Sequence, residues 1–425
     1  MTATLSPLSP SPSAAATPTC RACGSALTHT LVDLGMSPLG TSCRRAEQLN
    51  QMEPFYPLRV WVCDACFLVQ LPCVTGEERT VSEYPCFSSS SESWLEHARR
   101  YTDRAIEEFR LTPAHRVIEI GSNDGYLLQC FVQRGIPVLG IDAAVNVAET
   151  AIARGVPTRI QFFDLETARA LREEGVQADL LIVNNVIAAV HNINDFVAGL
   201  KLVMAPRGIL TMEFPHVMRL IAENQFDTIH HERFSYFSLL AVGYVLESNG
   251  LTIYDVDELD TYGGSLRIFA CHREDPLRPV TPRVDSLLAR ERDAGVGTLD
   301  YYAEFADRVR ETKRQLLNFL IAATRSGKHV AGYGTPRKAN TLLNYCGIQT
   351  DFIEYTVDAD PGRQGRYLPG SRIPIHSPDW IGRTRPDYVL ILPWHQQNEI
   401  VPHLEFIQEW GGRCVIPIPE VHMVT

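Results

Sequence analysis

The sequence predicts an α/β protein: a mostly parallel sheet flanked by helices, a second and smaller α/β unit after it, and a cysteine-rich module in front. Three observations carry this expectation. Between 113 and 272, short apolar runs (RVIEI, PVLGID, ADLLIVNN, GILTMEF, LTIYDVDEL, SLRIFAC) alternate with helical patterns, as βαβ units require. A second strand running into a Gly-containing turn opens at HVAGYG, followed by FIEYTVD and DYVLILP. Two Cys-x-x-Cys pairs, Cys20/Cys23 and Cys63/Cys66, fall in a stretch with several turn residues and little helical periodicity.

The elements follow in order. Residues 1–17 are rich in Pro, Ser, Ala and Thr, with neither a basic start nor an apolar run, and read as a disordered leader rather than a secretory signal. Residues 18–80 form the cysteine-rich module. SESWLEHARRYTDRAIEEFRLT (91–112) has a Ser cap and apolar residues three and four apart, so it reads as an amphipathic helix opening the domain 81–272. Residues 273–298, Pro- and charge-rich, read as a linker. TLDYYAEFADRVRETKRQLLNFLIAAT then opens the unit 299–425 with a helix.

Composition limits the function. The 425 residues are 45% hydrophobic and 21% charged, which suits two to three globular domains. No run of about 18 apolar residues is present, so no membrane span is expected. The 39 Lys and Arg against 50 Asp and Glu leave a net charge of −11, a poor balance for nucleic-acid binding. Eleven Cys with no export signal point to a reducing cytoplasm, with metal ligation or free thiols rather than disulfides.

Four motifs carry chemistry. The two Cys pairs, at two-residue gaps, can direct four thiolates (Cys20, Cys23, Cys63, Cys66) into one tetrahedral zinc site; ordinary buried thiols are the alternative. A closed site of this kind builds structure and binds no substrate. In VIEIGSNDGYLL a strand ends in a turn, Gly121-Ser122-Asn123-Asp124-Gly125, that opens a helix, and Asp142 ends the next strand where a carboxylate accepts both ribose hydroxyls. An acidic residue in the turn, Asp124, repels a pyrophosphate but tolerates a cationic sulfonium amino acid, which favours S-adenosylmethionine over NAD; a tight turn with no cofactor is the alternative. Asn184 and Asn185 end the strand ADLLIVNN at the same carboxyl edge.

The third motif is EFPH (213–216) with FDTIHHERFSYFS (226–238), which gathers Glu213, His216, Asp227, His230, His231, Glu232 and Arg233; it holds a general base if it is not a solvated polar loop. In the fourth, HVAGYGTPRKANTLLNY, Arg337 and Lys338 stand near a helix N-terminus suited to phosphate, or form a solvated basic pair on a structural turn.

On these residues the chain resembles the sugar C-methyltransferases of deoxysugar biosynthesis, which act on thymidine-diphosphate-linked 4-keto sugars. The likeness runs from about Cys20 to the C-terminus through CRAC, VDLGMSPLG, LVQLP, GSNDG, EFPH, the FDTI–FSYFS segment, GGSLR, GYG-x-x-x-K-x-NTLLNY, the LPG–IPI segment and VLILPW. It implies a zinc-binding N-terminal module, a class I S-adenosylmethionine-dependent methyltransferase core with a Rossmann-like fold, and a C-terminal Rossmann-like domain. It implies a base that takes a proton from the carbon beside the ketone, after which the enolate attacks the methyl group.

Four positions depart from the family pattern. His230 stands where the family has Tyr, Arg233 where it has the His thought to act as base, Ala189 where it has His, and Cys86, counted among the substrate contacts, where it has Tyr. Arginine stays protonated near neutral pH and cannot serve as that base. The expectation is therefore that His230, or else His231, is the base, that Glu232 orients it, and that Arg233 stabilises developing negative charge, with His216 next in line. The cofactor contacts are expected from residues 121–125, Asp142 and Asn185, and phosphate contacts from Arg337 and Lys338. A methyltransferase, an enzyme of this fold that no longer transfers methyl, and a non-catalytic binding protein all remain open on sequence alone. So does the choice between monomer and homodimer.

Overall fold

The computed structural model describes residues 17–74 and 87–424. Most of the leader and Cys86 lie outside them.

The N-terminal module is an antiparallel sheet of β1 (His29–Ser37), β2 (Tyr56–Val62) and β3 (Val69–Gln70). The helix Glu92–Glu108 follows. The Ser91 hydroxyl caps it by accepting from Trp94 N, and Ala98, Tyr101, Thr102 and Ala105 form its buried face. It stops short of the expected end because Arg110 turns into the left-handed region, with φ at 52°.

The central sheet contains β4 (Val117–Ile120), β5 (Val138–Asp142), β6 (Thr158–Ile160), β7 (Ala178–Asn184) and β8 (Met204–Pro215), all parallel. The two-residue β9 (Ser235–Tyr236) leaves this unit and pairs antiparallel with β3, so it joins the sheet of the N-terminal module. β10 (Leu251–Leu259) and β11 (Ser265–His272) complete the central sheet in the order β10-β11-β8-β7-β4-β5-β6, with β11 antiparallel to both neighbours. The strand order reverses between β4 and β7, which opens a crevice beyond their carboxyl ends. β6 and β9 escape sequence reading because each is two or three residues long and shows no apolar alternation.

Half of the expected linker 273–298 is helical. Pro282–Ala294 is a helix with Pro in its first turn and Gly295 at φ 90° closing it; it buries Val284, Leu287 and Glu291. Of the charged residues that suggested a linker, Arg283, Asp285, Arg292 and Asp293 lie on its exposed face, while Glu291 points inward. The long helix Phe305–Arg325 buries Phe305, Val309, Thr312, Leu316, Leu320 and Ala323, spaced three and four apart as the sequence implies.

The C-terminal sheet comprises β12 (Val330–Tyr333), β13 (Thr356–Val357), β14 (Ile375–His376), β15 (Tyr388–Ile391), β16 (Arg413–Ile416) and β17 (His422–Val424). Its order is β14-β13-β12-β15-β16-β17, parallel except for β17, which is a Rossmann-like arrangement.

The three parts share their cores. One apolar cluster joins Leu31 and Val60 of the N-terminal sheet to Ile221 and Phe226, and these to Leu316, Leu343 and Leu390 of the C-terminal unit. Another joins Cys63 and Leu68 to Met212, Phe214 and Phe237 of the central unit.

Candidate active site

The four cysteines converge. Their sulfurs all lie within 4.8 Å of one another, with Cys20–Cys66 and Cys23–Cys63 each at 3.5 Å. The donor set, four thiolates at tetrahedral spacing with no fifth ligand group among the described residues, fits a structural zinc ion. Gln70 supports it, since its Nε2 donates to Cys20 Sγ at 3.1 Å while its Oε1 accepts from Arg21 N at 3.0 Å.

The turn after β4 is built for close approach. Gly121 and Gly125 have φ near +72° and +75°, and a Cβ on Gly121 would stand 2.3 Å from Val186 Cγ2. Asp142 accepts from Asn123 N and Ala144 N, each at 2.8 Å, which fixes the carboxylate at the lip of the crevice. Burial pushes its pKa up, against those two amides. Asn185, at φ 59°, holds an amide whose nitrogen and oxygen both lack a hydrogen-bond partner among the described residues, as do Asn184 Oδ1 and Ser122 Oγ. Orphaned buried polar atoms beside a ribose-type carboxylate fit S-adenosylmethionine.

Asp124 differs from expectation. It is fully buried, and its Oδ2 accepts from Arg154 Nη1 at 2.9 Å and from Ser89. Arg154 answers its charge, so it anchors the segment before the first helix to the turn. The buried carboxyl in β4, Glu119, is pushed well above the usual carboxylate range by burial and by Asp142 and Asp124.

The 226–238 loop separates the histidines. His230 Nδ1 lies 2.9 Å from Glu232 Oε2, and both side chains are largely buried. Burial takes the imidazole down to about 4, although Glu232 pulls the other way. Burial would raise Glu232, but the bond to His230 and the nearby Arg337 hold it below the usual carboxylate range. The pair is therefore a neutral imidazole donating Nδ1–H to a carboxylate, with its lone pair on Nε2.

His231 faces away. Its Nε2 is 3.3 Å from the carbonyls of Tyr56 and Pro57 in β2, so it fastens the loop to the N-terminal sheet and is not placed to act as a base. His216 is also elsewhere. Its Nε2 meets Glu291 Oε1 at 2.6 Å in a pocket closed to solvent, and Glu291 also accepts from Leu239 N and Leu240 N. That network is structural.

Arg337 and Lys338 open the helix Arg337–Cys346, but Lys338 points inward. Its Nζ is buried without a hydrogen-bond partner among the described residues and sits 4.5 Å from the Trp394 ring centroid. Burial lowers its pKa to about 8, against the pull of Asp227. Asp227, itself fully buried, accepts from Trp394 Nε1 at 2.7 Å.

Sequence reading singled out Glu213 within EFPH but missed the two partners that make it part of a polar group, His97 and Arg267. Glu213, ending β8, accepts from Arg267 Nη2 at 2.6 Å and Thr261 Oγ1 at 2.8 Å, with His97 Nε2 at 2.9 Å. Burial favours its neutral form, but His97 and Arg267 outweigh that and keep it ionised. Aromatic groups then bridge the cleft. His97 stacks on Trp94 at 4.9 Å, Trp94 meets Tyr262 edge-on at 5.3 Å, and Tyr262 stacks on His395 at 6.3 Å. The signals were available: Trp94 and His97 fall on the same helix face as Ala98 and Tyr101, and Arg267 interrupts the apolar strand SLRIFAC.

No helix among the described residues is long and apolar enough to cross a membrane.

Comparison with known proteins agrees with this architecture. Three family models match in succession: a zinc binding domain over residues 20–80, a methyltransferase domain over 94–256 and a C-methyltransferase C-terminal domain over 260–419. The chain is 36% identical to C-methyltransferase NovU of Streptomyces niveus over 409 residues, 96% of each protein. It is 25% identical to the ubiquinone biosynthesis O-methyltransferase of Bartonella tribocorum over 96 residues, 22% of this chain and 39% of that one. Among solved structures it is similar to magnesium protoporphyrin IX methyltransferase from Synechocystis, at 15% identity and TM-score 0.32, over 43% of this chain and 82% of that one. With its zinc module, cofactor crevice and C-terminal unit matched along nearly the whole length, the chain belongs to the C-methyltransferase family and is an S-adenosylmethionine-dependent C-methyltransferase-like enzyme.

Proposed function

We propose that the substrate is a nucleotide-linked keto sugar and that His230 takes the proton from the carbon next to its ketone. The observation that supports this most is the His230–Glu232 pair: a neutral buried imidazole, its Nδ1 fixed at 2.9 Å from a carboxylate, on a loop bonded to the segment after β7. The Phe234 amide donates to the Ala188 carbonyl at 2.7 Å, which ties that loop to the carboxyl edge of the central sheet.

S-adenosylmethionine, when bound, supplies an electrophilic methyl group. The residues of this chain do the rest. The turn 121–125, Asp142 and Asn185 hold the cofactor. His230 Nε2 accepts the proton and Glu232 keeps the ring in the required tautomer. Arg233, a permanent cation, stabilises the negative charge that the carbon–hydrogen electrons leave on the carbonyl oxygen. Lys338 and Arg337 face the anionic part of the substrate. The Glu213–His97–Arg267 group and the Trp94–Tyr262–His395 aromatic bridge shape the space between the methyltransferase unit and the C-terminal unit.

The test is incubation with S-adenosylmethionine and thymidine-diphosphate-linked 4-keto sugars, reading both S-adenosylhomocysteine release and solvent-deuterium uptake beside the ketone. Both are expected with the wild-type chain, and deuterium uptake is lost in His230→Gln. Absence of both signals across these sugars overturns the substrate class, and undiminished uptake in His230→Gln overturns the base.

A further inference from the structure

We propose that Arg21 is a positioning residue that couples the four-cysteine site to both loops bordering the reaction cleft, so that the metal site sets active-site geometry as well as holding its own module together. Arg21 lies inside the Cys20-x-x-Cys23 knuckle, where the flanking thiolates fix its backbone on metal binding. Its guanidinium fork reaches outward to three carbonyls: Nη2 donates to Leu71 O at 2.5 Å, and Nη1 donates to His191 O at 3.2 Å and Val190 O at 3.5 Å. It also sits 5.4 Å from the centroid of the Phe234 ring. Val190 and His191 belong to the loop after β7, and Phe234 to the loop that carries His230.

Two further connections run in parallel. Gln70, bonded to Cys20 Sγ and to Arg21 N, lies in β3, which pairs through Val69 and Gln70 with Tyr236 and Ser235. Tyr236 then accepts, through its hydroxyl, from His230 N at 3.3 Å. Leu71 N donates to Phe234 O at 2.9 Å, and Phe234 N to Ala188 O at 2.7 Å, so the two loops are also tied to each other. Both cleft loops therefore hang from one knuckle. Only arginine offers a planar fork of donors long enough to span these carbonyls, whereas lysine reaches one at a time.

The experiment uses the full-length, zinc-loaded chain as wild type, Arg21→Ala and Arg21→Lys, read by hydrogen–deuterium exchange. In Arg21→Ala, peptides covering 186–191 and 229–236 should exchange about tenfold faster, while those covering 117–142 and 388–416 stay unchanged and zinc content is retained. Arg21→Lys should fall between the two, and it carries the test if the alanine variant does not fold. Chelating zinc from the wild type should release the same two peptides. S-adenosylhomocysteine formation on a nucleotide-linked keto sugar should fall about tenfold in kcat in Arg21→Ala, with the Kd for S-adenosylmethionine unchanged. The proposal is overturned if both loops keep their protection in Arg21→Ala, if exchange quickens equally throughout the chain, or if chelation opens only the cysteine module. The exchange readout does not depend on the substrate, so its failure is distinct from failure of the keto-sugar reading.

Discussion

His230 and His231 are adjacent in sequence and opposite in use, and single substitutions separate them. His230→Gln should lower turnover by about 10²–10⁴-fold, the usual cost of losing a general base. His231→Gln should leave the chemical step near wild type and cost about 1 kcal/mol of stability, because it loses its contacts to the β2 carbonyls and its edge-on contact with the Tyr56 ring. The reverse ranking in steady-state rates would refute the assignment. The same imidazole predicts a pH dependence. Its pKa is held at about 4 in the folded chain, against about 6.5 for an unconstrained histidine. The unfolded chain therefore takes up this proton first, so the stability from this group is complete above about 6.5 and is lost as pH falls toward about 4. Urea midpoints at pH 7 and pH 5 should differ less in His230→Gln than in the wild type. At Lys338, where burial lowers the pKa to about 8, the positive charge fades above that pH. Binding of an anionic substrate should weaken on the alkaline side, and Lys338→Met should remove that limb from a plot of kcat/KM against pH. An unchanged alkaline limb in Lys338→Met would exclude the anion role.

At the scale of elements, the helix Pro282–Ala294 shows how a stretch that looks like a linker becomes structural. Glu291 on its inner face accepts from the first amides of the helix Leu239–Ser248 and pairs with His216. Those amides would otherwise be orphaned at a buried helix terminus. Glu291→Leu should cost about 3 kcal/mol in urea unfolding, since it strands both the amides and the imidazole. A loss below about 0.5 kcal/mol, the level of an ordinary surface change, would show that the network has no structural weight. The cysteine module gives a second prediction. Cys23→Ser removes one of four thiolates and should lower zinc content well below the level of about one per chain expected of a closed four-sulfur site, as read by elemental analysis.

At the scale of the molecule, the three parts are not beads on a string. Leu31 and Val60 at one end and Leu316 and Leu390 at the other belong to one continuous apolar cluster. Polar bonds reinforce it: Asn340 Nδ2 donates to Pro38 O at 3.1 Å, and Thr341 Oγ1 to Ile229 O at 2.6 Å. A fragment ending at 272 would expose Ile221, Phe226 and the inner face of β1 and β2 to water. It should aggregate or bind a hydrophobic dye, whereas the intact chain should do neither. A soluble fragment that unfolds cooperatively and binds S-adenosylmethionine with the affinity of the full chain would contradict this shared core.

The sequence by itself determined what is written in local spacing. Cysteines two residues apart forecast the metal cluster, a Gly-rich turn after an apolar run forecast the cofactor crevice, and apolar residues three and four apart forecast the helix Phe305–Arg325, because each depends on neighbours along the chain. Only the tertiary structure decided the rest. It turned His231 toward β2 and His216 toward Glu291, gave Asp124 to Arg154, drew Lys338 beneath Trp394, and brought His97 and Arg267 to Glu213. Each of these pairings joins groups far apart in the chain, and a buried charge or imidazole takes its role from the partner that packing sets beside it.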